Sequence, residues 1–175
     1  MKIRALLIAG LVTSGAAQAG TMTLGAGSDF VNFSRTPDGA GIGFTLDYLK
    51  HDHNGSAGGL GAEFALPLGP VNVAAGVKGT ALDADGGATA GLVGGRINVD
   101  AGYSVSLFGQ AYYAPESFAS GSVKSVSDVT AGVRWNPIPL LALEGGYRYY
   151  QVDRKDDSRS RTLADGPYLG LGLSF

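Results

Sequence analysis

Eight charged residues share one phase of an alternating pattern: Asp47, Glu63, Lys78, Arg96, Asp128, Arg134, Glu144 and Arg148. Residues of the opposite phase beside them are largely apolar, such as Leu46 and Tyr48 around Asp47, or Val133 and Trp135 around Arg134. Four acids and four bases on one face predict a buried network of ion pairs and hydrogen bonds. A second reading is a narrow polar conduit. A third, a pair of catalytic carboxylates, is not favoured, because neither spacing nor surroundings single out one pair.

Other residues that could do chemistry are sparse. In His51-Asp52-His53 the spacing could place two imidazoles on one side of a strand as metal ligands, but no third ligand is near, and a solvated loop tip is expected. Gly25-Ala26-Gly27 and Gly39-Ala40-Gly41-Ile42-Gly43 are followed by no helical period, as a dinucleotide-binding turn requires. Gly102-Tyr103-Ser104-Val105-Ser106 misses the last glycine of a G-x-S-x-G elbow. A Ser/His pair would have to use His51 or His53 at a rim. No cofactor, metal site or enzymatic activity is expected. Arg154, Lys155, Arg159 and Arg161 crowd one loop and could hydrogen-bond anionic lipid phosphates.

The elements that must carry these residues alternate with period 2, from about residue 40 to the end. Ile42, Phe44, Leu46 and Tyr48 oppose Gly43, Thr45 and Asp47; Leu169, Leu171, Leu173 and Phe175 oppose Tyr168, Gly170, Gly172 and Ser174. Eight such runs of about 10–14 residues are longer than soluble strands, typically about 5–6. They fit transmembrane strands of ~9–11 residues. A basic side chain facing lipid at mid-depth costs ~2–4 kcal/mol, so the charged phase must face the lumen. Short connections near residues 67–70, 100–102 and 136–139 alternate with longer polar links at 51–56, 83–87, 115–122 and 153–165, the outer-membrane pattern. Tyr48, Tyr103, Tyr113, Trp135, Tyr147, Tyr149 and Phe175 fall where aromatic girdles belong. The last strand, with Leu171, Leu173 and terminal Phe175, has the form of a signal for the barrel-assembly machinery.

The expected fold is therefore all-β: an antiparallel transmembrane up-and-down β-barrel of eight strands over residues 40–175, with ten strands as the alternative. Residues 1–19 read as a cleaved signal peptide for Sec export, with Lys2 and Arg4, an apolar stretch and Ala17-Gln18-Ala19. Residues 20–39 are either a plug or two short extra strands.

Composition agrees with this and closes other classes. The 175 residues include 29 Gly and no Cys, which excludes disulfide scaffolds, thiol nucleophiles and Cys-based zinc sites and disfavours long helices. Without Lys2 and Arg4, 11 basic residues face 15 acidic ones, so nucleic-acid binding has no support. Most glycines of the eight runs fall on the inward phase, where they are expected to make room for Arg96, Arg134 and Arg148.

Tyr112-Tyr113-Ala114-Pro115-Glu116, Gly145-Gly146-Tyr147-Arg148-Tyr149 and Asp165-Gly166-Pro167-Tyr168 resemble the YfaZ family of small bacterial outer-membrane proteins. Pro67-Leu68-Gly69-Pro70 and Trp135-Asn136 are similar as well. The resemblance covers most of residues 40–175 and implies a Gram-negative outer-membrane barrel, with no reaction or ligand attached. The expected role is structural or envelope-related, with passage of small solutes through a narrow channel as its sharper form. The alternative is a barrel acting on lipid or lipopolysaccharide, as a lipid-modifying enzyme or a surface adhesin. The expected partners are outer-membrane lipids, lipopolysaccharide and the assembly machinery, around a monomer.

Overall fold

The structure, a computed structural model, describes residues 19–51, 55–83, 87–155 and 160–175. The proposed signal segment lies outside these residues but for Ala19, and so do Asp52, His53 and Arg159. Ten strands follow in order: β1 (Gly20–Gly27), β2 (Phe30–Pro37), β3 (Gly41–His51), β4 (Gly55–Leu68), β5 (Val71–Asp83), β6 (Ala88–Gly102), β7 (Val105–Ala114), β8 (Val123–Ile138), β9 (Leu141–Arg154) and β10 (Arg161–Ser174). A single 3-10 turn at Glu116–Phe118 lies between β7 and β8. Each strand pairs antiparallel with its sequence neighbour, and β1 pairs with β10 to close the ring.

The eight-strand expectation is thus corrected to ten. Residues 20–37, set apart from the barrel in that expectation, supply β1 and β2. Their alternation is short, because each strand has only 8 residues.

The start of β1 and the end of β10 meet at one rim, where Gly20 N–H donates to Phe175 O (2.8 Å) and Phe175 N–H donates to Gly20 O (3.0 Å). The tight turns after β2, β4, β6 and β8 share this rim, which is the periplasmic end by the rule that short turns face inward. In the β4–β5 turn Gly69 takes φ +69° ahead of Pro70, the order a two-residue II′ hairpin turn prefers.

The barrel tapers toward its outer end. Pairing of β1 with β10 stops at Gly27 and Tyr168, and pairing of β2 with β3 stops at Phe30 and Leu49. Beyond that level β10 runs on to Arg161, bonded to β9 and close to β3 and β4 without pairing with them.

Side chains sort by phase as the alternation predicts. Ile42, Leu60, Phe64, Val77, Leu107, Val133, Leu169 and Leu171 are exposed on the outside, where lipid covers them. Tyr48, Tyr113 and Tyr147 are exposed on the outside of the outer half, and Trp135, Tyr103 and Phe175 near the periplasmic rim. Inside the narrow outer end, Leu49, Leu82, Leu92, Val123, Val126, Val152 and Leu163 form a dry core. A void lined there by Leu82, Val123, Val152 and Leu163 among others is about 10 Å³.

A mature chain lacking residues 20–37 is expected to lose the heat-dependent gel shift of a folded barrel, because β3 and β10 then face each other unpaired at the wide end. A retained folded band would show that the remaining strands close as a ring of eight.

Candidate functional site

Below the apolar core, at mid-depth, lie all eight charges singled out by phase. All are buried, Asp128 completely. Asp47 on β3 and Asp128 on β8 project from strands five places apart around the ring of ten, on opposite walls. Lys78 from β5 and Arg148 from β9 bridge them. Lys78 Nζ is 2.9 Å from Asp47 Oδ2 and 2.6 Å from Asp128 Oδ2. Arg148 Nη1 donates to Asp47 Oδ1 at 2.9 Å, while its Nε and Nη2 form a bidentate pair with Asp128 at 3.0 and 2.9 Å. The four groups make a closed ring of alternating sign across the lumen.

Two further pairs flank it. Arg96 Nη2 and Nε donate to Glu63 Oε1 at 2.6 and 3.1 Å, and Tyr112 Oη donates to Glu63 Oε2 at 3.3 Å. Arg134 Nη2 and Nε donate to Glu144 Oε2 at 2.8 and 3.1 Å, and Tyr168 Oη donates to Glu144 Oε1 at 2.7 Å. Three of the four bases, Lys78, Arg134 and Arg148, also rest near an aromatic face. Arg148 lies 4.9 Å from the centre of the Phe30 ring, Lys78 lies 5.1 Å from that of Tyr112, and Arg134 lies 5.7 Å from that of Phe108.

Phe30, Phe108, Tyr112 and Tyr168 were not among the site residues expected from sequence. Their signal was an aromatic at the inward phase, where neighbouring positions are small or polar. The expectation that inward glycines make room for arginines is also corrected. A Cβ on Gly43 would lie 2.8 Å from Glu63 Oε1, and one on Gly76 would lie 2.8 Å from Glu63 Cβ. A Cβ on Gly146 would lie 2.8 Å from Tyr168 Cε1. Their nearest side-chain neighbours are an acid and a phenol, not a guanidinium.

Every carboxylate of the network is ion-paired with at least one base, and the four acids balance the four bases. Such a set neutralises its own charge. The void beside it is about 30 Å³, room for one or two waters.

The periplasmic end differs. An open vestibule of about 330 Å³ lies within the rim, lined by Asp38, Asn72, Asn98, Asp100, Ser106 and Asn136 among others. It was not expected from sequence.

The remaining candidates lie apart. Ser104 and Ser106 are at the periplasmic rim and His51 ends β3 at the outer rim, so the fold does not bring the Ser/His pair together. Among the described residues no group of three or more His, Asp or Glu is placed to hold a metal. Arg154 ends β9 and Arg161 begins β10, with Lys155 beside Arg154, so these three gather at the outer rim. Lys155 makes an exposed ion pair with Glu116 at 3.4 Å. Leu171, Leu173 and Phe175 are exposed on the outside of the last strand and its end.

Residues 1–175 match the family described as YfaZ precursor. The chain is 33% identical over 169 residues to "Outer membrane protein YfaZ" of Escherichia coli (strain K12), covering 94% of this chain and 93% of that protein. Among solved structures, the NanC porin in a rhombohedral crystal form aligns with a TM-score of 0.41 and 11% identity, covering 91% of this chain and 99% of that one.

Replacing Asp128 by Asn strips Arg148 and Lys78 of a shared counter-charge in a buried site. Breaking such a pair on one side is expected to cost about 3–5 kcal/mol. Urea unfolding of the barrel in lipid vesicles, followed by Trp135 fluorescence, measures it. Glu116→Gln, on an exposed pair, is expected to change stability by under about 0.5 kcal/mol.

Proposed function

We propose that this chain, which belongs to the YfaZ family and resides in the bacterial outer membrane, acts as a sealed structural barrel of the envelope. The observation that carries this reading is the blockade of the lumen at two levels. A dry apolar core fills the outer end, and a charge-neutral network spans the middle. The voids at these levels are about 10 and 30 Å³, too small for even a modest hydrated solute. The barrel carries no reaction in this reading.

Its partners are the lipids around it. Arg154, Lys155 and Arg161, joined in sequence by Arg159, carry the cationic charge of the outer rim, where charge-assisted hydrogen bonds to lipopolysaccharide phosphates hold the lipid. The barrel thereby tethers the outer leaflet to a rigid, closed body.

In planar bilayers the purified protein is expected to give no discrete current steps. Reproducible ion-selective steps would favour the channel reading instead. Neutralising Arg154, Lys155, Arg159 and Arg161 together is expected to lower the lipopolysaccharide that co-purifies with the folded barrel several-fold. Unchanged lipid content would remove the patch from the proposal.

A further inference from the structure

The periplasmic vestibule is neither part of the charge network nor used by a sealed structural barrel. It holds about 330 Å³, within the usual range of about 300–1,000 Å³ for small-molecule sites. Its lining comes from the β2–β3 turn (Asp38), the end of β4 and the β4–β5 turn (Pro67, Gly69, Pro70), β5 and β6 (Asn72, Asn98, Asp100), the β6–β7 turn (Ser104), and β7 and β8 (Ser106, Asn136). None of the lining residues is Lys, Arg or His, and two are Asp. The nearest inward bases above it, Arg96 and Arg134, sit two positions higher on the strands of Asn98 and Asn136. Both are already ion-paired, to Glu63 and Glu144.

The hydrogen-bond balance of the lining is one-sided. Asn72 Nδ2 donates to Asp38 O at 3.4 Å, and Asn136 Nδ2 donates to Ser174 Oγ at 2.8 Å. Asn72 and Asn98 are cross-strand partners on β5 and β6. Their Oδ1 atoms are both buried and accept no hydrogen bond. A buried acceptor left without a donor is costly; these two have no accessible surface, while the cavity itself presents the carboxylates of Asp38 and Asp100, one oxygen of Asp100 already accepting from Gly102 N–H at 2.8 Å.

From this geometry we infer that the vestibule is a periplasm-facing binding site for a small organic cation, an aliphatic amine or diamine. Each ammonium group supplies a positive charge and three donors with no acceptor, the complement of a lining with two carboxylates, two serine hydroxyls and no base. A bare metal ion fits less well. The cavity is many times the volume of an ion, and no three acidic or imidazole ligands converge among the described residues. The inference stands on the vestibule lining and does not depend on whether the lumen above it conducts.

The test uses the folded mature barrel in detergent micelles, titrated with 1,4-diaminobutane at low ionic strength and read by calorimetry and by the side-chain amide resonances of Asn72 and Asn98. Saturable binding that moves both resonances is expected. Asp38→Asn and Asp100→Asn, each keeping an acceptor oxygen, are expected to weaken it roughly tenfold. Ser106→Lys, which tethers an ammonium inside the vestibule, is expected to abolish it. Heat-dependent gel mobility confirms that each variant is folded. The inference is overturned by any of four results: no saturable binding, equal binding of 1,4-butanediol or succinate, affinity unchanged in the two Asp variants, or magnesium chloride alone binding as tightly at the same residues.

Discussion

The meeting of Asp47, Lys78, Asp128 and Arg148 on the barrel axis is the interaction on which the rest of the interior depends. Isolated, any one of these charges would be prohibitively costly away from water. Arranged with alternating sign around a closed ring, each acid touches both bases and each base both acids. The members come from strands that lie across the barrel from one another, so their contact distances limit the width of the cross-section. A wider ring would pull the four apart, and a narrower one would crush the side chains between them. Small neighbours follow from that constraint. Glu63 reaches Arg96 because Gly43 and Gly76 leave its stem unobstructed. Tyr168 passes Gly146 for the same reason on its way to Glu144.

The interior is divided into three media along the barrel. Toward the outer end apolar side chains meet. At mid-depth, where all ten strands are present and Asn32 of β2 pairs with Asp47 of β3, the charges are buried and paired with one another across the lumen. At the periplasmic rim the polar side chains leave an open cavity.

Much of this was legible in the sequence, and the failures have physical causes. The inward phase of all eight charges could be read because lipid on one side makes alternation strict: a basic residue at the wrong phase would face hydrocarbon. Partner choice within the network was not legible, because Asp47 and Arg148 are 101 residues apart and meet only when the ring closes. The count went to eight because Thr21–Gly27 and Phe30–Arg35 are short, rich in Thr, Ser and Gly, and carry few large apolar residues. Their register becomes definite only against β3 and β10. The dry outer core was hidden for the opposite reason. Leu49, Leu82, Leu92 and Val152 are apolar at the inward phase, so they blur the very alternation that identifies a membrane strand.

The short first hairpin has a consequence for how the molecule comes together and apart. Neighbouring strands along the chain can zip locally, and β4 meets β5 over 13 paired positions. The joint between β1 and β10 has 7 and links the two extremes of the chain, so its loop-closure entropy is the largest in the molecule. It can form only after the final strand is in place, and it has fewer rungs than the β4–β5 joint to hold it. Amide hydrogens along this seam belong to the least protected part of the sheet, and the ring gives way where it was last fastened.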